Sequence, residues 1–446
     1  MNMSKSDVNR RDFIKKTALA GAAIGLAGPM SIARGAGSSA NDQVTVAVMA
    51  ARSRAAVLAR TFAQVRGTVV KSVFDVDNRP LAELAEDLSE LQGRKPETGT
   101  DFRRALEDPD IDALVIGAPD FWHTPAAIMA LQAGKHVYVE KPGSHNPAEA
   151  ELIVRAQQRY GKVVQMGNQQ RSAPESIQAM KDIADGIIGE PYYAKAFYAN
   201  ARDGIGRGKI APVPEWLDYE LWQGPVPRTP YRDNIIHYNW HWFWKWGTGE
   251  ALNNGTHEYD IARWALGVGH PNRISSTGGR FHYDDDWEFY DVQNINFEFP
   301  EGKAINWEGR SANGFPFYGR GRGTTIHGTK GTIMIDRSGY IVYDLDNEEV
   351  KRVMDDGDVD HLDTVGGGDM TDLHIHNFAQ AITRGEKLNS PIDEGQISVL
   401  ALHLGNISQY VGRSLNLDPR NGRIIGDSEA MSMWSRSYEP GWEPRI

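Results

Sequence analysis

The stretch VTVAVMAARSRAAVLARTF, residues 44–62, limits the possible folds more than any other in the chain. Val44, Val46 and Val48 make a short apolar strand, and the Ala, Arg and Leu residues beyond Ser53 place apolar side chains at helical spacing. Only a tight turn separates the two. A strand that turns at once into a helix opens a βαβ unit, because neighbouring parallel strands need a long crossover. The next segments keep this rhythm: GTVVKSVFDVD reads as a strand, RPLAELAEDLSEL as a helix, and residues 101–142 as a further alternation of helix, strand, loop, helix and strand. A parallel sheet wound by helices on both faces is expected.

In a dinucleotide-binding turn, G-x-G-x-x-G supplies a sharp bend, close approach of backbone to the pyrophosphate, and close packing of helix on strand. Here those three places hold Ala50, Arg52 and Ala55. Alanine adds only a methyl group, which a slightly shifted turn accommodates. Arg52 is the larger departure: its side chain has to leave the pyrophosphate path, and Arg52 and Arg54 are placed to meet phosphates beside a helix N-terminus that favours an anion. Ala50, Arg52, Ser53 and Arg54 are therefore expected to bind the cofactor with altered geometry. Asp75 follows about 20 residues later, where a carboxylate accepts hydrogen bonds from the adenosine ribose. That favours NAD, while nearby Arg79 suits the 2′-phosphate of NADP, so both cofactors stay open.

GKHVYVEKPGSHNPAEAELIV, residues 134–154, carries the most specific motif, Glu140-Lys141-Pro142. Lys141 follows a buried strand and so stands at the carboxyl end of a parallel sheet, where such sheets bind ligands. An ammonium there hydrogen-bonds a substrate hydroxyl and favours its developing alkoxide. Farther along, GTGEALNNGTHEYDIARWALG places Asn253, His257 and Asp260 at spacings that share one helix face. Asp260 reads as structural. In GAPDFWHTP, a strand end is followed by Pro119, Trp122 and His123, and QMGNQQRS closes another strand with Gln169.

Together these motifs resemble the Gfo/Idh/MocA oxidoreductases, over essentially all of the chain after its first segment. The resemblance implies an enzyme with NAD or NADP held tightly, oxidising or isomerising a sugar, polyol or glycoside hydroxyl. It implies catalytic roles for Lys141 and His257, with Asn253 standing where the family carries an Asp. An amide orients an imidazole or a sugar hydroxyl but does not stabilise imidazolium as a carboxylate does. Glu140, Lys141, Pro119, Trp122, His123 and Gln169 would border the cofactor. Two other functions remain open, a glycosidase that oxidises its sugar transiently and a cofactor-free sugar-binding relative.

From about Tyr192 the texture changes, and runs such as YYAKAFYAN, VQNINFEFP, KAINWEGRSA and TIMIDRSGYIVYDL read as strands of a mixed or antiparallel sheet. Helical spacing returns in DLHIHNFAQAITRG and GQISVLALHLGNISQYVGRSL. The expected class is α/β: an N-terminal Rossmann-like doubly wound parallel sheet plus a C-terminal α+β domain with a large mixed sheet. The divisions expected are a leader at 1–40, a nucleotide-binding domain at 41–168, a substrate and oligomerisation domain at 169–415, and a tail at 416–446.

HYNWHWFWKWGTGE sets Tyr238, Trp240, Trp242, Trp244 and Trp246 on alternate residues, with His237, Asn239, His241 and Lys245 between them. If extended, it has one aromatic and one largely polar face. Aromatic faces pack on the C–H surface of a pyranose while polar tips hold its hydroxyls. Asn239, His241 and Asn253 are the expected substrate contacts, and core packing accounts for most of the Trp residues. His374 and His376 in HIH, without a clustered carboxylate, read as helix-start packing, and no metal is expected.

A formal net charge of -11 excludes a duplex-binding surface, which needs a concentrated basic face, so no nucleic-acid partner is expected. The chain has 0 cysteines, which removes disulfides and thiol nucleophiles. Arg10 and Arg11 precede Phe13 and a short Ala/Gly-rich apolar run, the pattern of a removable twin-arginine export signal and too short for a membrane anchor. The twin-arginine machinery is thus an expected partner and an extracytoplasmic or periplasmic location is expected. That route carries folded proteins, so the cofactor would travel inside the enzyme. A homo-oligomer formed through the second domain's sheet is also expected.

Overall fold

The computed structural model describes residues 43–354 and 369–446, so the twin-arginine segment lies outside the described residues. Six strands form the first sheet: β1 Val44–Met49, β2 Thr68–Phe74, β3 Glu97–Gly99, β4 Ala113–Ile116, β5 His136–Val139 and β6 Val164–Met166. Their order is β3-β2-β1-β4-β5-β6, and every pairing is parallel. Order reverses between β1 and β4, which opens a crevice at the carboxyl ends of those two strands. Val44, Val46 and Val48 are fully buried on one face of β1, and Ala47 on the other, as expected of a strand covered by helices on both sides.

A nine-stranded sheet fills the second half. It comprises β7 Pro191–Ala199, β8 Arg273–Gly279, β9 Val292–Glu298, β10 Ala304–Arg310, β11 Arg322–Gly328, β12 Gly331–Asp336, β13 Gly339–Asp344, β14 Glu349–Met354 and β15 Leu415–Asn416. The order is β14-β13-β12-β11-β7-β10-β9-β8-β15, antiparallel except where β7 lies parallel to β10. The expected α/β class, with a parallel and then a mixed sheet, is the one observed. Helix Gly255–Leu266 packs across β7, β10 and β11. Its first residue must be small: a Cβ on Gly255 would stand 2.6 Å from the buried Trp307 ring of β10. Helix Ile392–Val411 lies between β8 and helix Pro147–Tyr160, so apolar residues such as Val399, Leu402 and Leu404 join the two halves into one core.

Between β7 and β8 the chain makes a long excursion that returns to the half built on the parallel sheet. Asn78 N–H donates to the Trp216 carbonyl and Asp218 N–H to the Val76 carbonyl, at 3.2 and 2.9 Å. The Trp-rich segment lies in this excursion and is not extended. Asn239–Trp242 forms a 3-10 turn, entered through Tyr238 at φ 80. Its indoles are caught by different neighbours: Trp242 stacks on Trp287 at 3.8 Å, whereas Trp246 packs on Phe121 and Trp222. The alternation in sequence therefore reflects a turn with several packing partners rather than two faces of a strand.

Candidate active site

The crevice above β1 and β4 is a cleft of about 420 Å³, walled on one side by the strand ends of the first sheet and on the other by the excursion. Ala50, Arg52, Ser53 and Arg54 line it. Ala50 takes φ 88 and Ser53 φ 46, so the bend that glycine usually makes is made by residues held in the left-handed region. Packing at the third glycine place is solved from the opposite side. Gly117, just after β4, lies so close to Ala55 that a Cβ on it would sit 2.7 Å from the Ala55 methyl. Helix Ser53–Gln64 begins with no side-chain cap and no acidic residue in its first turn, leaving its N–H groups and positive dipole end beside the cleft.

The two arginines of the turn do different things. Arg52 is half exposed and its Nη1 reaches Asp77 at 3.2 Å. Arg54 turns under the strand ends, where its Nε donates to Glu140 at 2.9 Å and the guanidinium reaches the Thr371 hydroxyl. Asp75 lines the cleft, but its carboxylate already accepts the N–H of Ala51 at 2.6 Å and of Asp77 at 2.8 Å. Burial pushes its pKa up to about 6 against those two hydrogen bonds.

Asp77, missed by the sequence reading, gathers Arg52, Arg79 and His237 around one fully buried carboxylate. Arg79 also lies 3.5 Å over the Trp216 ring. Burial opposes the charge of Asp77, yet hydrogen bonds from Arg79 and His237 outweigh it and hold the pKa at about 2. The folded value lies below the unfolded one of about 3.9, so the stabilisation is complete above roughly pH 5 and disappears as pH falls toward 2. Asp77→Asn is expected to lose about 2 kcal/mol of unfolding free energy at pH 7 and almost nothing at pH 2. Urea titrations of both proteins across that range measure it, and a loss independent of pH would contradict this account.

Beneath the cleft lies a buried polar layer. Glu140 Oε1 accepts from both Arg54 and the Gln169 amide, the latter at 2.8 Å, and Gln169 also donates to the Tyr138 hydroxyl at 3.0 Å. His123 is fixed at both ring nitrogens: Nε2 donates to the Ala118 carbonyl at 2.8 Å and Nδ1 accepts from Gly143 N–H at 3.1 Å. Burial lowers its pKa to about 3, so it acts as a neutral clamp. Pro119 precedes helix Asp120–Gln132, and Trp122 on its first turn donates from its indole to the Trp222 carbonyl at 3.0 Å. All of these side chains except Tyr138 also border the cleft.

At the far end Lys141, Asn253 and His257 converge. The Lys141 ammonium donates to the Asn253 side-chain oxygen at 3.0 Å and to its backbone carbonyl. The helix expected to carry Asn253, His257 and Asp260 together is broken at Asn254 into Gly249–Asn253 and Gly255–Leu266. Asn253 and His257 face the cleft, while Asp260 is directed away into a pair with Arg171. Burial lowers the His257 pKa well below its usual value, and the charges of Arg337, Arg322 and Lys141 push it the same way. Burial also lowers Lys141, with Asp120 and Glu140 opposing.

Of the expected substrate contacts, His241 borders the cleft, stacked on Trp240 at 3.6 Å, and Asn253 does too. Asn239 does not: its amide donates to the Asn234 carbonyl at 3.0 Å, because the 3-10 turn rotates it away. The structure adds Asp120, Tyr238, Trp240 and Arg337 to the lining. Asp120 stood beside named residues in GAPDFWHTP, but its partner Thr248 is 128 positions away, and nothing local signals that contact. His374 is buried between the Ser172 hydroxyl and the Met166 carbonyl, while His376 is exposed.

A family profile described as oxidoreductase family, NAD-binding Rossmann fold, matches residues 15–168, and a second, oxidoreductase family, C-terminal alpha/beta domain, matches residues 193–444. A scyllo-inositol 2-dehydrogenase (NAD(+)) of Bacillus subtilis is 28% identical over 262 residues, 57% of this chain and 64% of that protein. A glycosyl hydrolase family 109 protein of Saccharopolyspora erythraea is 28% identical over 210 residues, 43% of this chain and 45% of its own length. The chain thus spans less than two thirds of the length of these curated relatives. Among solved structures, a levoglucosan dehydrogenase in complex with NADH and levoglucosan shares the fold with a TM-score of 0.63 at 19% identity, over 84% of this chain and 99% of that one.

Proposed function

Because this chain belongs to the Gfo/Idh/MocA oxidoreductase family, with an N-terminal half of the NAD-binding Rossmann type, we propose that it oxidises a hydroxyl of a sugar, polyol or glycoside using a tightly held nicotinamide dinucleotide. The observation that carries this reading is the meeting of Lys141, Asn253 and His257 at one end of a cleft whose other end has an uncapped helix N-terminus.

The residues fit such a cofactor. The first N–H groups of helix Ser53–Gln64 would take the diphosphate, with half-exposed Arg52 beside it. Asp75 would face the adenosine ribose and repel a 2′-phosphate, and Arg79 is already engaged by Asp77 and Trp216; both features favour NAD over NADP. Pro119, His123 and Gln169 would border the nicotinamide end. When bound, the nicotinamide supplies a hydride acceptor. Lys141 holds the substrate oxygen and favours its alkoxide character, and Asn253 aims the ammonium. His257, neutral and without a side-chain hydrogen bond among the described residues, is available to accept the hydroxyl hydrogen. Trp240 and His241 offer a ring face to the sugar.

The twin-arginine segment supports export of the folded, loaded enzyme, and a retained cofactor would be reset within each cycle or by a second substrate. Native mass spectrometry of the exported protein is expected to show the added mass of one nicotinamide dinucleotide per chain, with fluorescence changes when a substrate sugar is added. Absence of that mass, together with no heat stabilisation by NAD or NADP, would overturn the reading. The glycosyl hydrolase family 109 relative favours a second reading, transient oxidation followed by elimination and hydration. Release of free sugar from an aryl glycoside without added oxidant would select it.

A further inference from the structure

Lys141 is an ammonium in a cleft, yet both of its hydrogen bonds go to neutral oxygens of Asn253, and among the described residues it makes no ion pair. Such a charge is costly to desolvate unless an opposite one stands near. Asp120 is a buried carboxylate on the wall of the same cleft. It is only 4% exposed, and its carboxylate has one hydrogen-bond partner among the described residues, the Thr248 hydroxyl at 2.6 Å. Thr248 directly precedes the helix Gly249–Asn253 that presents Asn253 to Lys141. Its carbonyl is held in turn by the Asn406 amide at 2.7 Å.

The other charges around Lys141 are committed elsewhere. Glu140 is bound by Arg54 and Gln169, Glu250 by Arg202, and the repelling Arg322 by Glu258. His123, His241 and His257 face the lysine as imidazoles that burial keeps neutral. Burial lowers the Lys141 pKa, and the carboxylates of Asp120, Glu140 and Glu250 oppose that shift, Asp120 foremost.

We infer that Asp120 is a positioning residue that sets the charge of Lys141, supplying from helix Asp120–Gln132 the carboxylate that Asn253 does not provide. Its catalytic meaning rests on the oxidoreductase reading above: Asp120 keeps Lys141 an ammonium able to donate to the substrate oxygen. Thr248 holds the carboxylate in place and couples it to the helix that aims the lysine.

The test is residue-resolved and needs no turnover. Acetylation of Lys141 by acetic anhydride is followed across pH in the purified full chain, by peptide mass spectrometry, which gives the titration midpoint of that amine. Asp120→Asn is expected to lower the midpoint by about one pH unit or more, and Asn253→Asp in the same chain is expected to restore it. A midpoint that moves by less than about a third of that in Asp120→Asn overturns the inference. So does a shift that a carboxylate at position 253 fails to reverse, since packing rather than charge would then be the cause. Should Asp120→Asn not fold, Asp120→Ser removes the same charge and carries the same expectation. If the wild type holds no nicotinamide dinucleotide, the oxidoreductase reading falls while this titration still decides the charge pair.

Discussion

Lys141→Met is expected to lower kcat by about 10²–10⁴-fold while the protein keeps its fold and its cofactor. Methionine has nearly the same length and packs in the same space, but it removes the donor that holds the substrate oxygen. The contacts expected to hold the dinucleotide are made elsewhere, by the helix start at Ser53, by Arg52 and by the Asp75 region. Binding and turnover should therefore separate. Single-turnover measurement of nicotinamide fluorescence, beside native mass spectrometry for cofactor content, reads both. A variant with near-normal kcat would place the chemistry on other groups, and one that lost cofactor would make Lys141 a binding residue instead.

Asp260→Ala is expected to cost about 3–5 kcal/mol of stability. Asp260 accepts two hydrogen bonds from Arg171, at 2.5 and 3.0 Å, and a third from the Ser398 hydroxyl at 2.7 Å. Both members of the pair are buried, and Arg171 joins the segment after β6 to a helix lying on the large sheet. Removing the carboxylate strands a guanidinium in the interior, which costs more than the lost attraction. Replacing both residues together, Arg171→Met with Asp260→Leu, should recover most of the loss because no charge is then left unpaired. Denaturant titrations of the three proteins measure the difference. A single variant within about 1 kcal/mol of wild type would show that water reaches Arg171.

The fold was legible where local pattern and tertiary environment agree. The Val run of β1 and the alternation of short apolar strands with helices specify a parallel sheet by burial alone. Glu140-Lys141-Pro142 marked the cleft because a strand end fixes where Lys141 stands. Asn253 and His257 were legible from their spacing even though the helix breaks between them at Asn254. What the sequence concealed depends on distant partners. The Trp-rich segment mimics a strand until one sees that Trp287, Phe121 and Trp222 each hold a different indole. Asn239 was drawn into the cleft by that same false periodicity. Asp77 and Asp120 gave no signal, since their meanings lie in His237, 160 positions away, and Thr248, 128 positions away. The glycine-free turn packs because Gly117 yields the space that Ala55 takes, a compensation split between the segments that follow β1 and β4.

Residues 434–445 cross back from the large sheet to brace the outer wall of the nucleotide half. Trp442 meets Trp122 edge to face at 5.3 Å, Arg436 donates to the Phe121 carbonyl at 2.6 Å, and Gln132 donates to the Arg445 carbonyl at 2.7 Å. During synthesis, then, the βαβ units emerge long before the segment that finishes their outer face. A nascent chain can collapse around its first sheet early, but the contacts on the outer side of helix Asp120–Gln132 form only when this late stretch has left the ribosome. An affinity tag or fusion joined beside Trp442 would press on the nucleotide half, whose Trp122 is far away in sequence but in contact with it.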